Sequence, residues 1–248
     1  MLGEEVRQFL SSFRGEFLFG NTAPDVQVVS GQPRQQTHFF NLPILAEDPL
    51  AWKLILSNHP GLVDIKRQPA HKVAFIAGYL CHLQADWFWV RDVFAPSFGP
   101  GCTWSTFDQR LFFHNVLRAY LDERILPDLS PDIYIRLQQV EPYGWLPFVR
   151  DHYLAQWRDF LFPQLQPGAS PQTVKVFSSR QGISAPEFQA LLKSETRMKS
   201  EVFTHLLPQQ VENYHRRILI ENIKLLSENL SGSLQNVITP SITMGVRP

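Results

Sequence analysis

The sequence predicts an all-α protein with a single hydrophobic core. Long runs pass without a helix-breaking proline or glycine, and their apolar residues recur at helical spacing. Strand signals are few, because only VQVV at 26–29 and TVKVF at 173–177 have the composition typical of short strands. The chain has 248 residues, of which 44% are apolar and 12% are aromatic, so it is long enough to bury a sizeable core.

The predicted helices begin with a short one that starts at Glu47 or Asp48 and continues through PLAWKLILSN to residue 58. Pro69 can open the next helix, because the missing N–H of a proline has no partner to lose in the first turn. That helix is predicted to run from residue 70 through residue 94, with Gly78 as its only breaker. Since apolar residues occupy nearly every face of this helix, we expect the helix to be central and buried. A further helix is predicted over residues 106–126.

The C-terminal part is also predicted to be helical, over residues 149–161, 185–206 and 209–230. Ser184 is a good N-cap for the second of these, because Glu187 follows three residues later and completes a capping box.

Two segments rich in Gly, Pro and Ser separate the predicted helices. Residues 95–106 are expected to form a loop, and residues 163–172 a linker or long loop. The chain is therefore predicted to consist of a helical core at 1–162 and a helical extension at 163–248 that packs on the core. The last long helix of the extension is a candidate for homodimer formation.

The charge balance limits the classes of partner. Lys+Arg and Asp+Glu both number 23, which gives no net charge and argues against a nucleic-acid or anionic-membrane binder. Cys81 and Cys102 are too few for a disulfide scaffold, which favours free thiols in a reducing compartment. No secretory leader is evident, and no apolar run reaches the roughly 18 residues of a membrane span. We therefore expect a cytoplasmic protein without a membrane span.

The segment GYLCHLQADWFWVRDVF, residues 78–94, carries His82 and Asp86 four residues apart in an apolar setting. On a helix these side chains share one face, with Cβ atoms about 5–6 Å apart. An imidazole and a carboxylate at this spacing can bind one cation, each at about 2.0–2.2 Å. Gly78, one turn earlier, is expected to leave room for an ion and a substrate. The alternative is a buried His–Asp hydrogen bond without a metal.

A second acid–imidazole pair lies upstream, in FLFGNTAPDVQVVSGQPRQQTHFF. Asp25 follows Pro24, which biases the residue before it away from helix, so we expect Asp25 on a turn or loop. His38 is also expected on a loop. Added to the helical pair, these residues would make a set of two oxygen and two nitrogen ligands. Such a set suits zinc and also accepts manganese or iron.

The order of these residues resembles that of the zinc-dependent phospholipase C family, whose all-α fold is shared with a group of single-strand nucleases. FLFGNTAPDV looks like the family's Gly-x-x-x-Pro-Asp entry motif, and AFIAGYLCHLQADWFW is similar to its Gly-Tyr-x-x-His-x-x-x-Asp helix. The resemblance covers roughly residues 13–126. It implies a phospholipase C-like helical bundle in which Asp25, His38, His82 and Asp86 bind one zinc ion.

The sequence departs from this family at its other metals. The family's second metal uses a histidine soon after the helical Asp, then a His-x-x-x-Glu helix. Here Asp92 stands at the first position, His114 begins the later motif, and Arg118 replaces the Glu. A second ion would therefore have to use Asp92 and His114. The N-terminal Trp or His that the family needs for its third metal is absent.

Arg118 has two interpretations. His114, Arg118 and Asp122 are successive i,i+4 positions, which form a polar stripe on one helix. One interpretation is a solvated face with an Arg–Asp pair of little energetic value. The other is that Arg118 replaces the second cation, because a guanidinium stays charged and binds phosphate with two donors. It would then neutralise Asp92 or Asp122, or hold a phosphate ester beside the zinc.

The resemblance implies a hydrolase that acts on a phosphoester with a water molecule activated by the cation. Asp25 or Asp86 would take the proton of that water, and Arg118 would stabilise the developing charge. The substrate would be a phospholipid, or a soluble phosphodiester or phosphomonoester. The alternative is a helical protein without enzyme activity, in which the metal organises a cleft for a ligand or partner. Nuclease activity is disfavoured by the absence of net charge.

Overall fold

A computed structural model of the chain describes residues 1–45, 47–62, 67–169, 172–182 and 184–230. These residues form helices and no strand, which confirms the all-α fold class. The α-helices are α1 (Glu4–Ser12), α2 (Arg14–Gly20), α3 (Gln27–Ser30), α4 (Arg34–His38), α5 (Ala51–Asn58), α6 (Ala70–Trp89), α7 (Ala95–Phe98), α8 (Phe107–Ile125), α9 (Ile133–Gln138), α10 (Asp151–Leu161), α11 (Thr173–Gln181), α12 (Ala185–Leu192), α13 (Glu195–Arg197) and α14 (Pro208–Leu230). Short 3₁₀ segments lie at Ala23–Val26, Pro60–Leu62, Leu126–Asp128 and Phe162–Leu165, and π-helical turns at Val90–Phe94 and Met198–Val202.

Helix α6 lies at the centre of the fold, as predicted from its apolar positions. Most of its side chains are buried, and α2, α5 and α14 pack against it. The helix does not continue unchanged to residue 94, because a π-helical turn at Val90–Phe94 follows its last α-helical residue. Helix α7 then occupies the start of the segment that was expected to be a loop. Helix α8 packs against α7, α11 and α12.

Helices α2 and α6 cross with their backbones in contact, and one glycine from each makes this approach possible. A Cβ atom on Gly20 would lie 2.0 Å from the carbonyl oxygen of Phe75, and one on Gly78 would lie 2.1 Å from the carbonyl oxygen of Phe17. Both obstacles are backbone atoms, which cannot turn aside as a side chain can. The expectation that Gly78 leaves room for an ion and a substrate is therefore corrected, because that room is filled by α2.

The two predicted strands are helical. Residues 26–29 lie at the end of the 3₁₀ segment Ala23–Val26 and in α3, and residues 173–177 lie in α11. Among the described residues, neither segment has a strand to pair with. A helix is therefore the conformation in which the backbone N–H and C=O groups of each segment find hydrogen-bond partners. Val26 is fully buried in this arrangement, and packing against neighbouring helices decides its conformation rather than β-propensity.

The predicted C-terminal helices are present with different bounds. Residues 149–161 contain α10, 209–230 lie in α14, and 185–206 divide into α12, α13 and the π-helical turn at Met198–Val202. The hydroxyl of Ser184 accepts the N–H of Glu187 at 3.3 Å, as expected for the N-cap of a capping box.

Helix α14 lies along α6. The hydroxyl of Tyr214 donates to the carbonyl of Ala85 at 2.9 Å, and the amide of Gln84 donates to Asn222 at 3.0 Å. Residues 231–248, the end of the predicted extension, lie outside the described part of the chain. Within the described part, no helix combines the length and apolarity needed to cross a bilayer.

Candidate metal centre

The structure brings together three of the four predicted metal ligands. One potential ligand atom from each of Asp25, His38 and His82 lies within 4.8 Å of the other two. Nε2 of His38 is 3.6 Å from Oδ1 of Asp25. The three residues come from separate elements: the 3₁₀ segment Ala23–Val26, the end of α4 and the middle of α6. We call this group the ligand triad.

The ring of His82 is oriented by the C-terminal end of α2. Its Nδ1 lies 2.7 Å from the carbonyl oxygen of Asn21, the residue that caps α2. A carbonyl oxygen can only accept, so the hydrogen of this bond belongs to Nδ1. In the neutral ring Nε2 then carries a lone pair. That Nε2 is buried and has no hydrogen-bond partner among the described residues. An orphaned buried acceptor costs about 1–3 kcal/mol, and a cation bound there would offset this penalty.

The hydroxyl of Thr37 contacts the ring of His38. Nδ1 of His38 lies 3.0 Å from Oγ1 of Thr37, and the same hydroxyl lies 3.1 Å from the carbonyl of Arg34 and 3.5 Å from Oε1 of Gln27. When the hydroxyl donates to the carbonyl of Arg34, Nδ1–H donates to the hydroxyl and the lone pair of His38 lies on Nε2, the nitrogen 3.6 Å from Oδ1 of Asp25. Tyr79 donates to the carbonyl of Thr37 at 2.6 Å and so ties this turn to α6. Such partners orient metal-binding histidines.

The electrostatics of the triad favour the protonation states that bind a divalent cation. Burial lowers the pKa of His38 to about 4, against the opposing influence of Asp86 and Asp25, so the imidazole is neutral near pH 7. For Asp25, burial would raise the pKa, but the neighbouring imidazoles and arginines outweigh burial and hold it below its ordinary value. A neutral imidazole and an ionised carboxylate are the forms that ligate metals.

Acidification should destabilise the metal-free protein through His38. The pKa of histidine is about 6.5 in an unfolded chain and about 4 in the folded protein, so the unfolded state binds more protons between these values. We expect the free energy of unfolding, measured with denaturant and a chelator, to fall by roughly 2–3 kcal/mol between about pH 7 and about pH 4.5. The His38→Gln variant should lack this component. If the free energy of unfolding of that variant fell equally steeply with pH, His38 would not be the group that causes the loss of stability.

Asp86, the fourth predicted ligand, lies beside the triad and is engaged by an arginine. Its Oδ2 is 3.9 Å from Nε2 of His38 and accepts a hydrogen bond from the guanidinium of Arg34. Arg34 lies four residues before His38 in α4, so both side chains share one face of that helix. Sequence reasoning missed Arg34 because His38 was expected on a loop. The i,i+4 spacing becomes informative once α4 is known to be a helix.

The residues predicted to hold a second metal do not come together. The carboxylate of Asp92 accepts hydrogen bonds from Arg91 at 2.6 Å and from Arg217 at 2.9 Å. Nε2 of His114 accepts the indole N–H of Trp89 at 2.8 Å, and burial holds the pKa of His114 well below its ordinary value. Within the described part of the chain, neither Asp92 nor His114 belongs to a group of three potential metal ligands.

The ligand triad borders a cleft of about 750 Å³. Asp25, His82, Arg34 and Asp86 line it together with apolar side chains from α6, α8, α10 and α11. Residues of α11 and α14, which belong to the predicted C-terminal extension, also line it, and Phe177 is one of them.

Arg118 lines the same cleft from α8. Its guanidinium lies 5.0 Å from the ring centre of Phe177 and makes no direct ion pair or hydrogen bond with another described residue. Its charge still favours the ionised forms of Asp25 and Asp122 through space, whereas a direct ion pair with Asp92 or Asp122 is not formed. Asp122 instead accepts a hydrogen bond from Thr173 at 3.1 Å, and enclosure in the cleft raises its pKa.

Comparison with known proteins gives no match, whether with protein-family models, curated proteins or solved structures. The resemblance to the zinc-dependent phospholipase C family is thus neither supported nor contradicted by comparison. It stays a prediction that rests on the two sequence motifs.

Proposed function

We propose that the chain binds one divalent cation, zinc in the first place, through Asp25, His38 and His82. The observation that carries this proposal is Nε2 of His82, a buried lone pair that has no hydrogen-bond partner in the described part of the chain and lies beside two further ligand atoms. Two imidazole nitrogens and a carboxylate suit zinc and also accept manganese or iron. Asp86 lies beside the triad, with its Oδ2 3.9 Å from Nε2 of His38, and a shift of its carboxylate would supply a fourth ligand.

We further propose that this cleft hydrolyses a phosphoester. A cation held by such ligands polarises phosphoryl oxygens and lowers the pKa of water. Arg118 would hold a phosphoryl oxygen, because its guanidinium lines the cleft and makes no direct ion pair or hydrogen bond with another described residue. The ionised carboxylate of Asp25, or that of Asp86, would accept the proton of the attacking water. The apolar part of the cleft fits a phosphoester with an apolar substituent, such as a phospholipid, as well as a small soluble diester.

Metal content and turnover test this proposal together. Elemental analysis of the purified chain should find about one zinc ion per molecule. Hydrolysis of bis-p-nitrophenyl phosphate, or of phosphatidylcholine vesicles, should stop on chelation and return on addition of zinc. A chain that binds none of zinc, manganese and iron would remove the proposal.

A second candidate function is a non-catalytic protein in which one cation organises the cleft for a ligand or partner. It is favoured by the carboxylate of Asp92 and by Nε2 of His114, which accept hydrogen bonds from arginines and from an indole and form no second metal cluster among the described residues. Bound metal without turnover of either substrate would decide for this candidate.

Two further proposals concern assembly and location. Leu219 and Ile220 of α14 are exposed by 62% and 60%, which is compatible with the predicted homodimer through the C-terminal helices. Sedimentation velocity at several protein concentrations would test it. A cytoplasmic location is proposed from Cys81 and Cys102, which form no disulfide.

The Arg118→Ala variant should separate phosphate binding from metal binding. We expect its affinity for inorganic phosphate, measured by calorimetry on the zinc-loaded protein, to fall about tenfold, because a charge-assisted hydrogen bond contributes about 1.5–3 kcal/mol. Its zinc content should stay unchanged. Arg124→Ala is the matched control, since Arg124 lies on the same helix and bonds only locally, to the hydroxyl of Tyr120. Equal phosphate affinity of the two variants would exclude the proposed role.

A further inference from the structure

We propose that Arg34 competes with the cation for the carboxylate of Asp86 and so sets the cation affinity of the ligand triad. This inference rests on the proposed cation site. It adds a residue that the sequence motifs do not include.

The first argument is which oxygen Arg34 engages. Oδ2 of Asp86 is the oxygen 3.9 Å from Nε2 of His38, and the same oxygen accepts the hydrogen bond from the Arg34 guanidinium. Asp86 is not among the residues whose ligand atoms all lie within 4.8 Å of one another. To join the triad on a cation, the carboxylate of Asp86 would have to shift, and its Oδ2 would have to give up or share the hydrogen bond with Arg34. The bond to Arg34 therefore opposes the fourth ligand.

The second argument is that the positive charge of Arg34 lies close to the ligand triad. Arg34 shares a face of α4 with His38, and its guanidinium lies 4.7 Å from the ring centre of Phe40. The side chains of Arg34 and Asp86 are only 30% and 24% exposed. Solvent and salt screen partly buried charges less than exposed ones. Arg34 therefore repels a divalent cation at the triad as well as holding Asp86.

The opposite role would be that of an anchor, in which Arg34 fixes Asp86 in a position that ligates the cation. An anchor would bond the oxygen that points away from the metal and leave the other oxygen free, as metal-site partners do. Here the oxygen nearest the triad is the one engaged. The two roles predict opposite effects when the guanidinium is removed.

The test is zinc affinity, measured by competition with a chromophoric chelator. The Arg34→Met variant keeps an unbranched apolar stem against Phe40 and removes the charged donor. We expect its dissociation constant for zinc to fall by about tenfold, the equivalent of one charge-assisted hydrogen bond. Equal or weaker binding would overturn the inference in favour of an anchor.

A double-mutant cycle tests whether Arg34 acts on zinc binding through the carboxylate of Asp86. In the Asp86→Asn background, Arg34→Met should tighten zinc binding by only about twofold, because the shared anion is gone and only the direct repulsion between Arg34 and the cation remains to be removed. A full tenfold gain in that background would show that Arg34 acts without Asp86 and would overturn the inference.

Arg217→Met is the matched control, because Arg217 belongs to another Arg–Asp pair, with Asp92, and does not line the cleft. Its zinc affinity should equal that of the unmodified chain, and a comparable gain would also overturn the inference. An unmodified chain that binds no zinc, manganese or iron would instead remove the proposed function itself. The two failures are therefore distinguishable.

Discussion

The His82→Ala variant should lose the cation, falling from about one ion per chain to a background level. His82 supplies the buried Nε2 that has no other partner, and its Nδ1 is fixed by the carbonyl of Asn21. Without this imidazole, Asp25 and His38 provide two ligands from two short helical segments, and two ligands bind a divalent cation weakly. Elemental analysis after gel filtration in metal-free buffer measures the loss.

His71→Ala is the control for this substitution. His71 lies on the same helix, about three turns earlier, and its ring lies 5.7 Å from that of Trp145, away from the triad. The control should keep its ion. Circular dichroism of both variants establishes that the helices are intact. Metal retained by a folded His82→Ala variant would show that the triad is not the binding site.

The Gly78→Ala variant should lose about 3 kcal/mol or more of its free energy of unfolding. The added methyl group would lie 2.1 Å from the carbonyl oxygen of Phe17, so α2 and α6 would have to separate. This separation should also weaken cation binding, because the carbonyl that orients His82 belongs to Asn21, at the end of α2. Gly20→Ala should have the same two effects from the other side of the crossing. Denaturant unfolding and zinc titration measure them.

Gly101→Ala is the control for these substitutions, because a Cβ atom there meets nothing within 4 Å. It should change the free energy of unfolding by less than about 0.5 kcal/mol. If the Gly78→Ala and Gly101→Ala variants were equally stable, the contact between α2 and α6 would not be the reason for glycine at residue 78.

The part of the site that lies on one helix was predictable from the sequence. The four-residue spacing of His82 and Asp86 in an apolar run predicted a shared face of a buried helix, and α6 has this form. That Asp25 and His38 approach the helix followed only from the resemblance, since spacing along the chain does not determine which loops meet in space. The structure places both beside His82.

Other features depend on tertiary contacts that no local pattern contains. Gly78 was interpreted as space for a ligand because only its own helix was considered, whereas its neighbour is the backbone of α2. The partner of Asp86 was missed for the same reason, because Arg34 lies 52 residues earlier in the chain. The β-branched segments at 26–29 and 173–177 are helical because no described strand is available to pair with them.

The lining of the cleft comes from distant parts of the sequence. Residues up to Val90 supply the proposed metal ligands, whereas α11 and α14 supply other lining residues, which include Val176 and His215. Substitutions at these other lining residues can alter which molecules fit the cleft while leaving the proposed ligand atoms in place. Selection for a new specificity would therefore best begin with a library of variants confined to these two helices.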